Sequence, residues 1–191
     1  NGVVKYQVAV NDSAEQRTGT ITVAGKTHTV IQEGAEPEPD PLTYKVEGNS
    51  VTITDCETSA SGALVIPSSY NGKPVTKIGR GAFEECSSLT NVTIPDSVTR
   101  IEDEVFKDCS SLTNVTIPDS VTSIEDEAFR GCSSLTSVTI GDSVTIIGTN
   151  AFDGCSSLTS VTIPDSVTSI APTAFAYCSS LQSIEVAEGN S

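Results

Sequence analysis

Cysteine has the widest chemistry of any residue type in this sequence, because a thiolate can bind metal, attack an electrophile or form a disulfide. The chain of 191 residues contains six cysteines. Five of them recur every 23 residues, and each is followed by Ser-Ser-Leu: Cys86, Cys109, Cys132, Cys155 and Cys178. This spacing lacks the Cys-x-x-Cys pairs of a zinc site, so it predicts no metal centre.

The periodic cysteines fit a column of reduced thiols inside a repeating core, where free cysteine packs as a small hydrophobe. Disulfide bridging between neighbouring repeats is the alternative, because stacking would bring the Cα atoms within the ~4.4–6.8 Å that a bridge requires. Side chains that point in parallel into the core disfavour bridging, and we expect the reduced column. Cys56 lies outside the repeat and has no evident partner.

The sequence offers little for acid–base or nucleophilic catalysis. His28 is the single histidine, and its strand-like surroundings predict an exposed surface position. Without a histidine among residues 42–191, no Ser–His–Asp set can form there, and no phosphate-binding glycine loop is present. We therefore predict that the protein is not an enzyme and has no catalytic residue and no cofactor.

Acidic residues dominate the charge of the chain. The 25 Asp and Glu against 10 Lys and Arg give a formal net charge of −15, which argues against nucleic acid as a partner. No run of 18 apolar residues is present, so we predict no membrane insertion. Stacked acids at 102–104 and 125–127 could collect Ca²⁺, but they lack the spacing of a calcium loop. We expect a hydrated, charged face there instead.

A 23-residue repeat must position all of these groups. Each unit contains an apolar strand, a Pro-Asp-Ser turn, a second short strand and a helical or 3-10 turn that carries an inward phenylalanine. In the unit that starts at Leu89, these parts are residues 89–94, 95–97, 98–101 and 102–109. No unit can bury its apolar side alone, so the units must stack into a solenoid whose equivalent strands pair in parallel, roughly 4.8 Å apart.

The repeated motifs are Leu-x-x-Val-x-Ile-Pro, Val-x-x-Ile and Ala-Phe-x-x-Cys, in register over about residues 61–191. This array resembles the BspA-type leucine-rich repeat, which occurs in bacterial and some protozoan surface proteins. The resemblance implies a mainly β leucine-rich-repeat solenoid with an adhesive role, outside the cell or on the bacterial cell surface. Val105 replaces the Ala of the motif, and Gly141 replaces a turn Pro, which should only loosen that corner.

The two ends of the array are expected to differ. Residues 61–83 form a degenerate first unit, and a hairpin of strands 42–46 and 51–54 is predicted to cap the N-terminal edge. At the other end, residues 181–186 form the strand of a further unit that lacks its turn Pro. An uncovered strand edge favours pairing with another chain, so this edge predicts self-association.

The segment before the repeat has a strand pattern of its own. Three strands are expected, one within Val3–Val10 and two within Gly19–Gln32 that meet at Ala24–Gly25. They resemble the final strands of a BACON-like, immunoglobulin-type sandwich, a family often attached to surface and carbohydrate-active proteins of gut bacteria. The predicted domains are a partial BACON-like segment, a stiff Pro- and acid-rich linker, and the leucine-rich-repeat domain with its capping hairpin, at residues 1–35, 36–41 and 42–191.

The outward side of the first strand of each unit is a flat, hydroxyl-rich surface with few large side chains. The predicted binding face consists of Asn91, Thr93, Asn114, Thr116, Ser137, Thr139, Ser160 and Thr162. It lacks Trp and Tyr, which carry interaction hot spots and stack on sugars, so strong glycan binding by this face is disfavoured.

Together these features predict a non-enzymatic extracellular module that binds or adheres to a protein, an extracellular matrix or a cell-surface partner. Two alternatives remain at this point. The first is a structural spacer or assembly subunit, motivated by the incomplete sandwich and the open strand edge. The second is a glycan-binding accessory module of a larger protein, against which the shortage of aromatic residues argues.

Overall fold

The structure of the chain, a computed structural model, describes residues 15–32 and 40–187. The chain divides into two compact units at Asp40–Pro41. The described residues of both units form strands, turns and loops, and neither described range contains a helix. The prediction of a mainly β fold is therefore confirmed, whereas the helical or 3-10 turns expected within it are not formed.

The first unit contains an antiparallel hairpin of strands β1 (Arg17–Val23) and β2 (Lys26–Gln32). Ala24 and Gly25 form its turn with φ angles of 50° and 76°. Two left-handed residues match the twist of the strands they join. This turn lies where it was predicted, and the strand expected within Val3–Val10 lies outside the described residues.

The second unit is a solenoid in which two rows of parallel strands enclose the core. After an antiparallel hairpin of β3 (Leu42–Glu47) and β4 (Ser50–Cys56), the strands are β5 (Ser61–Val65), β6 (Ser69–Tyr70), β7 (Lys73–Ile78), β8 (Ser88–Thr93), β9 (Arg100–Ile101), β10 (Asn114–Thr116), β11 (Ser123–Ile124), β12 (Ser137–Thr139), β13 (Ile146–Ile147), β14 (Ser160–Ile163), β15 (Ser169–Ile170) and β16 (Ser183–Val186). Row A is the sheet β5-β8-β10-β12 followed by the pair β14-β16, and row B is β4-β7-β9-β11-β13-β15.

Pairing within both rows keeps the 23-residue step of the sequence. Val115 pairs with Val92 in row A, and Ile124 pairs with Ile101 in row B. Every inward position therefore becomes a column of like side chains. The leucine column shows the result, because all four of its central members are 0% exposed: Leu89, Leu112, Leu135 and Leu158. The predicted solenoid of stacked 23-residue coils is confirmed.

The segment Glu102–Cys109, predicted to be helical or 3-10, is instead a run of turns. The N–H groups of Phe106 and Asp108 donate to carbonyl oxygens of the next coil at 2.8 and 2.7 Å, whereas Cys109 closes a turn on Phe106 at 3.2 Å. Glu104 and Asp108 are left-handed, with φ angles of 60° and 59°. Because every second N–H group donates to the next coil, no continuous set of intrahelical hydrogen bonds can form.

The aromatic column runs along the core of the solenoid. Five phenylalanine rings stack nearly in parallel with centroids 5.0–5.3 Å apart: Phe83, Phe106, Phe129, Phe152 and Phe175. The first four are completely buried. The carbonyl groups of four of these phenylalanines accept hydrogen bonds of 3.0–3.2 Å from the thiols of the cysteines in the next coil: Cys109, Cys132, Cys155 and Cys178. The periodic cysteines therefore form a column along the core, of which Cys178 is only partly buried.

Small hydroxyl residues at the corners also join neighbouring coils. Thr113 Oγ1 donates to the carbonyl oxygen of Thr90 at 3.0 Å, and Thr136 Oγ1 donates to that of Thr113 at the same distance. At another corner, Ser156 Oγ donates to Ser133 O at 3.3 Å. These side chains satisfy carbonyl groups that face the surface, so the polar residues of the repeat contribute to cohesion between coils.

The predicted degenerate first unit and its cap are both present. Leu64 pairs with Val92 and Ile78 pairs with Ile101, which gives the expected alignment of the first unit. The β3–β4 hairpin covers row B, because β4 pairs in parallel with β7 and β3 forms the outer edge. Row A has no such cover within the described part of the chain, and Val65 of its first strand is 68% exposed.

The corner at Gly141 is not loosened, contrary to expectation. Its turn closes by a hydrogen bond from Val144 N–H to Gly141 O at 3.1 Å, close to the 3.0 Å of the equivalent Val121–Pro118 bond. A Cβ atom on Gly141 would lie 2.6 Å from the carbonyl oxygen of Pro118. The loss of the side chain has therefore let the backbone of this coil pack closely on the coil before it.

The last described coil leaves part of the core uncovered. Ile184 and Val186 of β16 are 46% and 55% exposed, whereas their partners Val161 and Ile163 are both 1% exposed. Among the described strands, β16 pairs with β14 alone. Self-association through this edge stays a prediction.

The phenylalanine column gives a matched test of the stacking energy. We expect Phe129→Ala to lower the free energy of unfolding by about 3–5 kcal/mol, because it leaves a cavity between two buried rings. Phe175→Ala should cost clearly less, since Phe175 is only partly buried and has one ring neighbour. Urea denaturation followed by circular dichroism measures the loss of unfolding free energy in each variant. Equal losses would contradict the conclusion that Phe129 packs between two rings and Phe175 against one.

Candidate binding surface

The eight residues of the predicted binding face lie on four successive strands of row A: β8, β10, β12 and β14. The parallel register of the first three strands forms one column of amide and hydroxyl side chains and one column of threonines: Asn91, Asn114 and Ser137, and Thr93, Thr116 and Thr139. Ser160 and Thr162 occupy the same repeat positions on β14. All except the half-buried Asn91 are exposed. The structure thus brings the predicted residues onto one surface, called the hydroxyl face below.

The hydroxyl face is uncharged in a strongly acidic protein. Its four strands contain no Asp, Glu, Lys or Arg. Ser137 Oγ donates to Asn114 Oδ1 at 2.7 Å, and Asn114 Nδ2 donates to Thr113 Oγ1 at 3.1 Å, which fixes the orientation of the amide. A shallow depression of about 320 Å³ lies between β8 and β10. Such a surface can exchange hydrogen bonds with a ligand without removing a charge from water.

The outward side of row B has a different chemistry, and the sequence analysis assigned no role to it. Lys77 and Arg100 are paired in register, and Lys77 Nζ lies 2.7 Å from Glu102. Further along the same column are Ile146, which is 47% exposed, and Ser169. This side therefore changes from charged to uncharged along the solenoid, with one exposed isoleucine between two serines, whereas the hydroxyl face keeps one chemistry.

The turn edge, formed by the segments that follow row B, carries an ionic network. Lys107 Nζ lies 3.0, 3.4 and 3.9 Å from carboxylate oxygens of Glu84, Glu104 and Glu127, which belong to three successive coils. Arg130 contacts Glu127 at 3.1 Å and a carboxylate one coil further at 3.3 Å. The acids that were expected to form a hydrated, charged face therefore alternate with basic partners.

This network shifts the acidity of its members. The hydrogen bond to Glu84 chiefly raises the pKa of Lys107, against the effect of burial. The hydrogen bond from Arg80, at 2.6 Å, chiefly lowers the pKa of Glu104 below its ordinary value of 4.5. Both shifts mean that the charged forms are favoured in the folded chain.

Other stacked carboxylates join coils through backbone hydrogen bonds. Asp119 Oδ1 accepts from the N–H group of Asp142 at 2.9 Å, and Asp126 Oδ1 accepts from that of Thr149 at 2.6 Å. In residues 15–32 and 40–187, no group of three or more His, Cys, Asp or Glu is arranged to hold a metal ion. His28 lies exposed on β2, opposite Ile21.

The structure also forms an aromatic pair that sequence reasoning missed. Tyr44 of β3 and Tyr70 of β6 stack with ring centroids 4.0 Å apart and an interplanar angle of 8°. Tyr44 packs against the core and Tyr70 is 36% exposed, so Tyr70 is the outer ring of this tyrosine stack. Neither residue belongs to the 23-residue pattern. Their contact depends on the insertion near Asn71 and on the capping hairpin, which no periodic signal reveals.

Comparison with known families gives the same repeat. The sequence model described as the BspA type Leucine rich repeat region matches residues 72–191 in six copies. The chain belongs to this family. The matched residues run from the second strand of the first unit through the stacked coils, whereas the β3–β4 cap precedes them.

Solved structures of bacterial leucine-rich-repeat proteins are similar to this BspA-type chain. It is 32% identical to a T. pallidum Leucine Rich Repeat protein, with a TM-score of 0.73 over 78% of this chain and 71% of that one. It is also 32% identical to a leucine-rich repeat protein from Bacteroides ovatus, with a TM-score of 0.68 over 79% and 41% of the two chains. A leucine rich cell surface protein from Faecalibacterium prausnitzii is 31% identical, with a TM-score of 0.58 over 80% and 55%.

The chain thus spans less than two thirds of the Bacteroides and Faecalibacterium proteins. A comparison with functionally curated proteins gave no match. The two described ranges contain no helix with the length and apolarity needed to cross a membrane. Family and fold together make this BspA-type chain a repeat-based binding or surface module, since repeat scaffolds of this kind offer long surfaces for interaction.

The ionic network predicts a loss of stability in acid. Glu104 has a lowered pKa in the folded chain, so its contribution is complete above pH about 4.5 and is lost as the pH falls through the folded value. Arg80→Met removes the main cause of that shift and should flatten the decrease in unfolding free energy between pH about 5 and 3. Urea midpoints at several pH values measure the slope.

Lys26→Met on the β1–β2 hairpin removes the same charge and serves as the control. It should leave the slope of the wild-type chain unchanged. If Arg80→Met and Lys26→Met both follow the wild-type curve, the Arg80–Glu104 contact does not couple protonation to folding.

Proposed function

We propose that this chain is a non-enzymatic adhesion module, outside the cell or on the bacterial cell surface, whose hydroxyl face binds a protein, an extracellular matrix or a cell-surface partner. The observation that carries the proposal is the uncharged strip of exposed Thr, Ser and Asn on four strands of a chain with net charge −15. Binding removes water from the polar groups of a surface, and the free energy of this desolvation is smaller for hydroxyl and amide groups than for carboxylates.

The geometry of the face favours an extended partner. Outward side chains recur at every coil in two columns, and the depression between β8 and β10 is shallow. A partner that follows the columns would meet the same hydrogen-bonding groups at each coil, so many weak contacts add up over its length. The strong negative charge elsewhere argues against nucleic acid.

Similarity supports the proposed location. The Faecalibacterium protein that is 31% identical over 80% of this chain is described as a cell surface protein. That protein is also described as leucine rich, and we extend the surface location to this chain as part of the proposal. We also propose three segments: a BACON-like segment at 1–35, a linker at 36–41 and the repeat domain at 42–191. The β1–β2 hairpin supports the first segment, and the division at Asp40–Pro41 supports the boundary before the repeat domain.

Glycan binding is a second candidate, and the tyrosine stack is the observation that favours it. An exposed ring backed by a second ring offers a rigid apolar platform for a sugar face. Tyr70 lies beside the Asn71–Gly72 turn, and Lys73 Nζ donates to Gly48 O at 2.8 Å in the same cap. Polar groups therefore border the platform, as the binding of a polyhydroxyl ligand requires.

Binding of the full chain to matrix proteins, whole bacterial cells and glycans tests both candidates. We expect saturable binding to a protein or cell surface that is reduced at least tenfold by the double change Thr116→Lys and Thr139→Lys, which places two charges side by side on the hydroxyl face. The matched control is Ile146→Lys with Ser169→Lys, a neighbouring pair on the outward side of row B. It should retain wild-type affinity.

The variants separate the alternatives. Equal losses in the two double variants would show a general charge effect rather than a binding face. Binding to glycans that is lost with Tyr70→Ala and kept with Tyr70→Phe would move the site to the tyrosine stack. Absence of binding to every probe, together with concentration-dependent self-association in ultracentrifugation, would favour a structural spacer or assembly subunit over adhesion.

A further inference from the structure

Cys56 and Cys86 place two thiols side by side beneath the cap. Cys56 ends strand β4 of the capping hairpin, and Cys86 is the first cysteine of the periodic column. Cys86 Sγ lies 3.8 Å from the carbonyl oxygens of both Cys56 and Glu57, and Cys56 Sγ lies 3.7 Å from that of Glu57. The two sulfur atoms therefore flank one carbonyl oxygen. Both residues are buried, at 3% and 0% exposed.

The other four periodic cysteines are held differently. Each donates its S–H group to the carbonyl oxygen of a phenylalanine at 3.0–3.2 Å: Cys109, Cys132, Cys155 and Cys178. Cys86 Sγ lies 3.8 Å from the carbonyl oxygens of Cys56 and Glu57, a longer and weaker contact. The Cys56 thiol faces the same Glu57 carbonyl oxygen, at 3.7 Å. No partner for Cys56 was evident from the sequence, and the fold places Cys86 beside it.

This contact also makes Cys86 more acidic than its counterparts in the column. The hydrogen bond from Cys56 chiefly lowers the pKa of Cys86, and the same contact raises the pKa of Cys56. Burial raises the pKa of Cys109 to about 12 and raises that of Cys132 as well. In the docked chain Cys86 is therefore the more acidic thiol of the pair.

We propose that Cys56 and Cys86 form a disulfide that joins the capping hairpin to the first coil of the solenoid. The oxidant is another disulfide, either a low-molecular-weight one such as oxidised glutathione or that of a thiol oxidoreductase. The thiolate of one cysteine attacks it and releases one thiol, and the other cysteine then attacks the sulfur of the first and releases the second. One S–S bond forms and one breaks, and the two cysteine protons and two electrons end on the released thiols.

Burial decides when this exchange takes place. Both sulfur atoms are out of reach of an oxidant in the folded chain, so the reaction must occur before the hairpin docks or while it opens transiently. Once formed, the bond closes a loop of 30 positions that contains β5, β6 and β7. The loop includes the uncovered first strand of row A, so the bond would hold both rows at the end where a solenoid frays.

Oxidation of the full chain with glutathione tests the proposal. The reduced chain is refolded with and without oxidised glutathione, and free thiols are counted after denaturation. We expect six thiols in the reduced chain and four in the oxidised one, with a mass lower by about 2 Da and a peptide map that joins Cys56 to Cys86. The melting temperature should rise by about 5–10 °C and return on addition of dithiothreitol.

Two variants serve as controls. Cys178→Ala removes a partly exposed member of the column and should still lose two thiols on oxidation. Cys56→Ala should lose none, and circular dichroism shows whether it folds. If it does not fold, the peptide map of the wild-type chain decides the matter by itself. Six remaining thiols, a mixed disulfide with glutathione, or a bridge between Cys86 and Cys109 would each overturn the proposal.

Discussion

The hydrogen bonds between neighbouring coils are the constraint on which the rest of this structure depends. Between the regular coils, N–H groups at the strands and at the turn edge donate to carbonyl oxygens 22–24 positions away, as with Phe106 to Ala128 and Thr113 to Thr90. These bonds fix the step between coils at the spacing of parallel strands. The step in turn brings identical side chains into contact, and the phenylalanine, leucine and cysteine columns are its direct result.

The same constraint explains which parts of the fold the sequence could predict. A period of 23 residues determines the columns, the two rows and the alignment of the first unit without any knowledge of local geometry. The turn edge was predicted wrongly because Glu102–Cys109 has local features of a helical turn, yet its alternate donors bond to the next coil. Gly141 was misjudged for a related reason, since contact with Pro118 decides the packing of that corner rather than the turn itself.

Features outside the period could not be predicted from it. The Tyr44–Tyr70 stack and the Cys56–Cys86 contact both join the cap to an irregular first unit, where an insertion breaks the register. The hydroxyl face could be predicted as a surface, because strand alternation sends Thr116 and Thr139 outward. The ionic network around Lys107 could not, because its contacts depend on how far each side chain reaches across coils.

The uniform step between coils has a consequence for how such a chain can change over time. Removal or duplication of a whole block of 23 residues leaves every column intact, because each remaining coil meets a neighbour of the same kind. Loss of a single residue within a strand moves the following side chains of that strand out of their columns, whereas the aligned pairs on both sides of the insertion near Asn71 show that a loop can absorb a change in length. Recombination that adds or removes whole coils therefore preserves the core. The outward surface can become longer or shorter in this way while its side-chain chemistry stays the same.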